Sequence, residues 1–149
     1  MRNKNPFILL IVGLLFVFNG CSADEIDTES PEISILSPDN EQHFHPGEII
    51  RFEAIFSDDM ELSQFKIDIH YGGDHTHKST LSDEAEWSYD HIGDLSGREQ
   101  HLKLDIDIPG HAKHGEYHFI VFCTDMAGNQ SWTGVDIFIE DDDGDDHDH

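Results

Sequence analysis

Cysteine is scarce in this sequence. The 149 residues include only Cys21 and Cys123, so at most one disulfide could form within the chain. A domain with so little covalent bracing has to be stabilised by a hydrophobic core. The chain is long enough to supply a core for one domain of ordinary size.

Basic residues are the second shortage. The sequence has 8 Lys and Arg against 32 Asp and Glu, which gives a formal net charge of −24 with His neutral. A surface this acidic repels nucleic acid phosphates and anionic lipid headgroups, so we exclude both as partners. It attracts cations, and the 12 histidines add imidazole nitrogen to the carboxylates in a mixture that suits metal binding. The alternative is a soluble surface that uses His as a polar residue.

A long hydrophobic run is also missing. The apolar stretch over residues 7–18 is shorter than the roughly 20 residues that span a bilayer, and it follows Arg2 and Lys4. A positive head, a short apolar body and small residues before a break are typical of a signal peptide, which we place at residues 1–20.

The break after this stretch resembles the bacterial lipobox. It reads Phe18-Asn19-Gly20-Cys21, and the next charged residues are Asp24 and Glu25. The resemblance implies that Cys21 is diacylated, and the acidic pair resembles the surface-export signal of Bacteroidetes-type lipoproteins. We therefore expect a lipid anchor in the cell envelope, at the surface or periplasmic face of the outer membrane, with residues 21–30 as an acidic tether. Plain secretion is the alternative; with an anchor at Cys21, Cys123 forms no disulfide within the chain.

The rest of the chain shows the period of β-strands and no convincing helical period. Apolar residues alternate with polar ones in seven short stretches separated by turn residues such as Pro46-Gly47 and Pro109-Gly110. We name these stretches A to G; they centre on Ile33, Phe52, Ile67, Tyr89, Leu104, Val121 and Ile137. This pattern predicts an all-β domain over residues 31–140, an immunoglobulin-like β-sandwich of about seven strands. The acidic tail at 141–149 is predicted to be disordered.

Several motifs fit this fold. Gly115-Glu116-Tyr117 and the run from Asp125 to Asn129 resemble the "G-x-Y … D-x-A-G-N" signature of bacterial Ig-like repeats. The whole chain, lipobox included, is similar to an uncharacterised lipoprotein family, domain of unknown function 4625. The resemblance implies the sandwich fold and brings no established activity.

Alternation also assigns side chains to the two faces of the predicted strands. Cys123 is predicted to point inward, as a small buried hydrophobe rather than a nucleophile or metal ligand. Trp87 and Trp132 are interpreted as core or sheet-edge aromatics, with a sugar-binding platform as the alternative. Ile120 and Phe122 point outward, under other residues of the chain or towards a partner.

The predicted topology brings histidines together. In an Ig-type domain the A–B, C–D and E–F loops share one end, so we expect eight histidines to gather there: His43, His45, His70, His75, His77, His111, His114 and His118. Residues two apart on an extended backbone share a face, so both His-x-His pairs can reach one ion. Imidazole favours Zn, Cu or Ni, and Asp74 adds an oxygen ligand. The alternative is a set of solvated loop histidines.

Carboxylates gather at the opposite end. Asp58, Asp59, Asp125 and Asn129 are interpreted either as a calcium site or as turn residues that bond their own backbone, and we favour the turn. The tail residues His147 and His149 either only help to keep the chain soluble or bind metal ions weakly.

These observations predict a non-enzymatic, membrane-anchored lipoprotein that binds a transition-metal ion and acts with an envelope protein partner. An enzyme is disfavoured because no recognised catalytic motif is present. The alternative function is an Ig-like module that binds a protein or a glycan, with incidental histidines.

Overall fold

Eight strands make up the regular structure of the described part of the protein. The structure, a computed structural model, describes residues 26–73 and 84–140. Its strands are β1 (Glu32–Ser37), β2 (Gln42–Phe44), β3 (Ile49–Ser57), β4 (Leu62–Tyr71), β5 (Ser88–Asp94), β6 (Glu99–Asp107), β7 (Gly115–Asp125) and β8 (Gln130–Ile139). The lipidation candidate Cys21, the histidines His75 and His77 and the tail at 141–149 lie outside the described residues. Within the described ranges, no helix is long and apolar enough to cross a membrane.

The strands form two sheets that pack face to face. One sheet has the order β1-β3-β6, and the other has the order β2-β8-β7-β4-β5. The inward positions of the long strands alternate with exposed ones, as a sandwich with two solvated outer faces requires. The predicted all-β sandwich is therefore confirmed.

The structure adds two features to the sequence prediction. β2 was not foreseen; it pairs parallel with β8 from Gln42↔Ile137 to Phe44↔Ile139. The segment of Tyr89 was predicted as strand D, and the sequence did not indicate its partner. It forms β5, which pairs antiparallel with β4 over seven register positions. Alternation identifies a strand but does not say which neighbour it pairs with, because both sheets bury one face of each strand.

The core lies between the sheets and is made by the inward residues of β3, β4, β6, β7 and β8. Phe52 of β3 stacks on Phe119 of β7 with ring centroids 5.4 Å apart, so the two sheets are in direct contact. Cys123 is buried in this core, as predicted. Burial and then the charges of Asp58 and Asp125 raise the pKa of its thiol to about 12, so it stays protonated.

Tyr117 fixes the entry to β7. Its side chain is fully buried, and its hydroxyl donates a 2.8 Å hydrogen bond to the carbonyl oxygen of Lys113, four residues upstream. This geometry is that of a tyrosine corner, which holds the connection before the equivalent strand of Ig-type sandwiches. The corner positions the next outward residue, His118, at the start of the strand.

Candidate functional site

Outward side chains of neighbouring strands form rows across the outer face of the five-stranded sheet. His118 of β7 is in register with His70 of β4 on one side and with Asp136 of β8 on the other. The residues before and after His118, Tyr117 and Phe119, are fully buried, so alternation directs the imidazole outward. The sheet therefore brings together one carboxylate and two imidazoles from three strands.

Three of the side chains in this region form a compact group that we call the outer-face triad: Glu116, His118 and Asp136. One ligand atom of each lies within 4.8 Å of the other two. Nδ1 of His118 is 2.7 Å from Oδ1 of Asp136 and 3.9 Å from Oε1 of Glu116. All three side chains are half-exposed, so an ion or ligand can reach the group from solvent.

His70 lies beside the triad. Its ring meets that of His118 edge to face, with centroids 5.5 Å apart, and its Nδ1 is 2.8 Å from Oδ1 of Asp68. Burial opposes the ionisation of Asp68, but hydrogen bonds from His70 and Lys66 outweigh it and lower the pKa of this carboxyl. An ionised carboxylate that holds Nδ1 orients the ring and sets its tautomer, as outer partners do at metal-binding histidines.

Gly72 leaves room for the imidazole of His118 because it has no side chain. A Cβ atom at residue 72 would come within 2.6 Å of Nε2 of His118, so a larger residue would displace the imidazole. The backbone amide of Gly72 also donates a 2.9 Å hydrogen bond to the carbonyl oxygen of Glu116. The end of β4 is thus shaped around two members of the triad.

The other predicted histidines in the described ranges lie at the same end of the sandwich but in different places. His43 on β2 stacks on Phe138, with its Nδ1 2.7 Å from Oε1 of Glu140. His114 is 3.4 Å from a carboxylate oxygen of Glu84. His45 follows β2, and His111 lies in the connection between β6 and β7. Among the described residues, the candidate ligand groups contain one of the predicted histidines, His118.

The opposite end holds a second acidic group, which we call the turn cluster: Asp27, Asp58, Asp125 and Asn129. Oδ1 of Asp58 accepts backbone amides from Met60 at 3.0 Å and Glu61 at 2.7 Å. These bonds close the turn between β3 and β4, as expected of an Asp at this position.

Asp125 is the buried member of the turn cluster, with 2% of its surface exposed. It accepts the backbone amide of Asn129 at 2.8 Å and its side-chain amide at 2.7 Å. Burial disfavours the charge, but the hydrogen bonds from Asn129 and neighbouring amides outweigh it, and the pKa of Asp125 is lowered. Asp59, the fourth predicted residue at this end, is exposed. The bonding supports the structural interpretation of this end.

Sequence reasoning missed the carboxylates of the outer-face triad. Asp136 and Glu116 each fall on the outward face by alternation, which is a signal that the sequence contains. Their meeting with His118 depends on the register of β7 against β8 and on side-chain rotamers, which period two does not specify. Asp27 was also missed, because it lies in the segment interpreted as a tether.

A third feature of the outer face is an apolar row of Trp132, Phe122 and Ile92. Trp132 pairs with Phe122, Phe122 pairs with Lys66, and Lys66 pairs with Ile92, so the row crosses four strands. The three apolar residues are 69%, 36% and 58% exposed. The prediction that Phe122 points outward is confirmed.

Comparison with known proteins places the chain in a family without a known function. The family model described as Domain of unknown function (DUF4625) matches residues 19–140. No curated protein matches the chain.

Solved structures match the chain at low identity. The fibronectin(III)-like modules of Clostridium thermocellum CbhA match with 16% identity and a TM-score of 0.48, over 80% of this chain and 52% of theirs. The sporulation control protein Spo0M of Bacillus subtilis matches with 12% identity and a TM-score of 0.45, over 74% and 49%. The titin domains Z1Z2, in complex with telethonin, match with 19% identity and a TM-score of 0.36, over 77% and 50%. The chain spans about half the length of these solved chains.

Proposed function

We propose that this chain, which belongs to the DUF4625 family, is a non-enzymatic envelope protein that binds a transition-metal ion at the outer-face triad. The observation that carries the proposal is the convergence of one imidazole and two carboxylates, all half-exposed, within 4.8 Å. The net charge of −24 raises the local concentration of cations around such a group.

The distances in the triad suit a small ion. Zinc binds nitrogen and oxygen at about 2.0–2.2 Å, so ligand atoms around a tetrahedral ion lie about 3.4 Å apart. The separations of 2.7 Å and 3.9 Å from Nδ1 of His118 fall on either side of that value. Rotation of the two half-exposed carboxylates is enough to adjust them, and the ion would replace the proton between His118 and Asp136.

The donor set points to a class of metal. Nitrogen with two carboxylate oxygens favours Zn, Cu or Ni, whereas calcium prefers six to eight oxygens. Three protein ligands leave a further coordination position for water or for a donor from a partner. His70, in ring contact with His118, is a described imidazole that can supply it.

Calorimetric titration of the full chain with zinc chloride tests this proposal. We expect His118→Ala to weaken binding at the tight site at least about tenfold, since tenfold corresponds to only 1.4 kcal/mol of lost coordination. His101→Ala is the matched control. It also removes an imidazole paired with a carboxylate, 2.6 Å from Glu53, but on the other sheet and beside Lys103, which repels a cation.

A second titration separates the triad from the acidic tail. Deletion of residues 141–149 should remove weak sites and leave the tight site, because the acidic composition predicts a tail that would pay ordering entropy to bind an ion. If the deletion abolishes tight binding while His118→Ala does not, metal binding belongs to the tail and the proposal for the triad is wrong.

The anchor is a separate part of the proposal, supported by the apolar run and Gly20-Cys21 in the sequence. Cys21→Ser should prevent acylation and release the protein from membrane fractions. A variant that still fractionates with membranes, together with a wild-type chain that carries no lipid on Cys21, would rule out the lipoprotein assignment.

A second candidate function is an interaction module without a bound metal. The apolar row favours it, because a strongly acidic protein gains nothing in solubility from an exposed Trp, Phe and Ile on one face.

A further inference from the structure

The apolar row ends in a groove on the outer face of β8. The groove has a volume of about 200 Å³, and its lining residues are His118, Ile120, Trp132, Gly134, Val135 and Asp136. Trp132, Gly134 and Asp136 alternate along β8 and therefore share the outward face. Trp132 stands at one end of this stretch and Asp136 at the other, four residues or about 13 Å apart along the strand.

Gly134 forms the floor of the groove. It is in register with Ile120 of β7, and a Cβ atom at residue 134 would lie 2.9 Å from the carbonyl oxygen of Phe119. A side chain at this position would both crowd the β7 backbone and fill the space between Trp132 and Asp136. Because residue 134 has no side chain, the groove is open between the indole of Trp132 at one end and the groups of Asp136 and His118 at the other.

The chemistry of the groove limits what can bind. The indole of Trp132 offers a flat apolar face and one N–H donor, while Asp136 and His118 offer hydrogen-bonding groups. A matching ligand needs an apolar face with polar groups around its edge. The net charge of −24 and the nearby carboxylate of Glu116 disfavour an anionic ligand. A pyranose ring, with its C–H face and peripheral hydroxyls, meets these requirements.

A protein partner fits less well. Protein interfaces bury about 1,200–2,000 Å² and have an apolar centre depleted in charge. Here Lys66 interrupts the row between Phe122 and Ile92. It forms ion pairs with Asp68 at 3.0 Å and Asp90 at 2.8 Å, which places three charges at the middle of the face. The end at Trp132 is concave.

We propose that the Trp132 groove is a glycan subsite that binds one ring of a neutral oligosaccharide, stacked on the indole with its hydroxyls towards Asp136 and His118. Its volume is below the roughly 300–1,000 Å³ of a pocket for a whole small ligand, so it takes one ring of a longer chain. The inference specifies a ligand class for the interaction module that is our second candidate function, and it does not depend on the metal proposal.

Intrinsic fluorescence provides a direct measurement, because the sequence has two tryptophans. In a full-length Trp87→Phe variant, Trp132 is the only tryptophan, and excitation at a wavelength that tyrosine does not absorb reports on it alone. It would be titrated with cellohexaose, laminarihexaose and mannohexaose, and with hexagalacturonic acid as an anionic control, all in EDTA. We expect a saturable change with at least one neutral hexasaccharide and none with the anionic one.

Affinity measurements by calorimetry on matched variants complete the test. Trp132→Ala should weaken binding of the active hexasaccharide by about tenfold or more, the loss that follows from 1.4 kcal/mol of stacking. Ile92→Ala removes an exposed residue from the same row, three strands away, and should leave binding within about twofold. Circular dichroism checks that both variants fold.

Three results would overturn the proposal. One is no saturable response to any neutral hexasaccharide up to about 5 mM, a concentration that would fill about five-sixths of even a weak site with a dissociation constant of about 1 mM. Another is binding that survives Trp132→Ala. The third is a response only to hexagalacturonic acid or to a Lys- and Arg-rich peptide, which would indicate a different ligand class. Because EDTA is present throughout, none of these results depends on whether the outer-face triad binds zinc.

Discussion

The sandwich carries an acidic group at each end, the turn cluster where β3 meets β4 and the outer-face triad where β7 begins. In the turn cluster, Asp58 and Asp125 accept hydrogen bonds from backbone amides and from Asn129. In the outer-face triad, the oxygens of Asp136 and Glu116 face an imidazole and open solvent. Groups of similar composition are thus engaged in the fold at one end and available to a ligand at the other.

The difference follows from local backbone geometry. A turn leaves amide donors without partners, and a carboxylate beside them is consumed in satisfying them. A strand satisfies its own amides through the ladder, so its outward carboxylates have no backbone donors to serve. An acidic cluster on a sheet face is for this reason a better place to look for a ligand site than one in a turn.

Among the substitutions that test this comparison, Asp125→Ala is expected to lower the free energy of unfolding the most. Each hydrogen bond to an ionised group contributes about 1.5–3 kcal/mol, and Asp125 accepts two from Asn129. Relief of repulsion with Asp27, whose pKa is raised by burial first and then by the charges of Asp59, Asp125 and Asp58, offsets part of the loss. Urea denaturation should show a loss of about 3 kcal/mol.

The control for that measurement is Asp59→Ala, which removes an exposed carboxylate from the same end and should change stability by at most about 0.5 kcal/mol. Equal effects of the two substitutions would contradict the structural role of Asp125.

The pH dependence of the same variant sharpens the comparison. The pKa of Asp125 is lowered in the folded protein, so its contribution is fully present above the unfolded-state pKa of about 3.9 and is lost as pH falls through the folded value. The stability difference between wild type and Asp125→Ala should therefore stay constant from about pH 7 to pH 5 and shrink below about pH 4. A difference that shrinks instead on raising the pH from 5 to 7 has the wrong sign for a carboxylate stabilised in its ionised form.

A substitution in the outer-face triad should change the stability of the metal-free protein less than Asp125→Ala does. It should instead reduce the stabilisation that a bound metal provides. His118 is half-exposed, so His118→Ala should change metal-free stability by only about 0.5 kcal/mol. Zinc at ten times its dissociation constant should stabilise wild type by about 1.4 kcal/mol and the variant by little, because a ligand that binds only the folded state acts by mass action. Thermal melts with and without zinc measure both. If zinc stabilises the His118→Ala variant as much as wild type, the triad does not bind the ion.

Alternation was sufficient to predict most of the fold. It identified the inward faces of β3, β4, β6, β7 and β8, because each of these strands buries one side and exposes the other. It missed β2, whose three residues are too few to show a period, and it did not indicate the partner of β5, because pairing is decided between strands and not within one.

The candidate site was less predictable for the same reason. Topology placed His70 and His118 at one end, and the structure brings their rings into contact. It could not show that His43 lies on β2, beyond β8, where Glu140 is its partner instead. Register and rotamers decide ligation on a scale of ångströms, whereas loop topology only selects an end of the sandwich.

The smallest effect is expected for calcium at the turn cluster. Calcium takes six to eight oxygen ligands at about 2.3–2.6 Å. Both oxygens of Asp125 and Oδ1 of Asp58 already accept hydrogen bonds, and within the described residues Oδ2 of Asp58 is the one buried carboxylate oxygen without a partner. An ion would have to break the bonds to Asn129 to gain Asp125 as a ligand, so the gain in coordination is offset by the loss of the turn.

Melting temperatures in 1 mM calcium chloride should accordingly differ from those in sodium chloride of equal ionic strength by the equivalent of at most about 0.5 kcal/mol. The salt match is essential, because any added salt screens the self-repulsion of a chain with a net charge of −24. Asp58→Asn keeps the size of the side chain and its acceptor for the two turn amides while removing its charge. A calcium-specific rise in wild type that this variant loses would mean that the turn cluster binds the ion. In that case both ends of the sandwich would be ligand sites, and the distinction between turn and sheet carboxylates would fail for this protein.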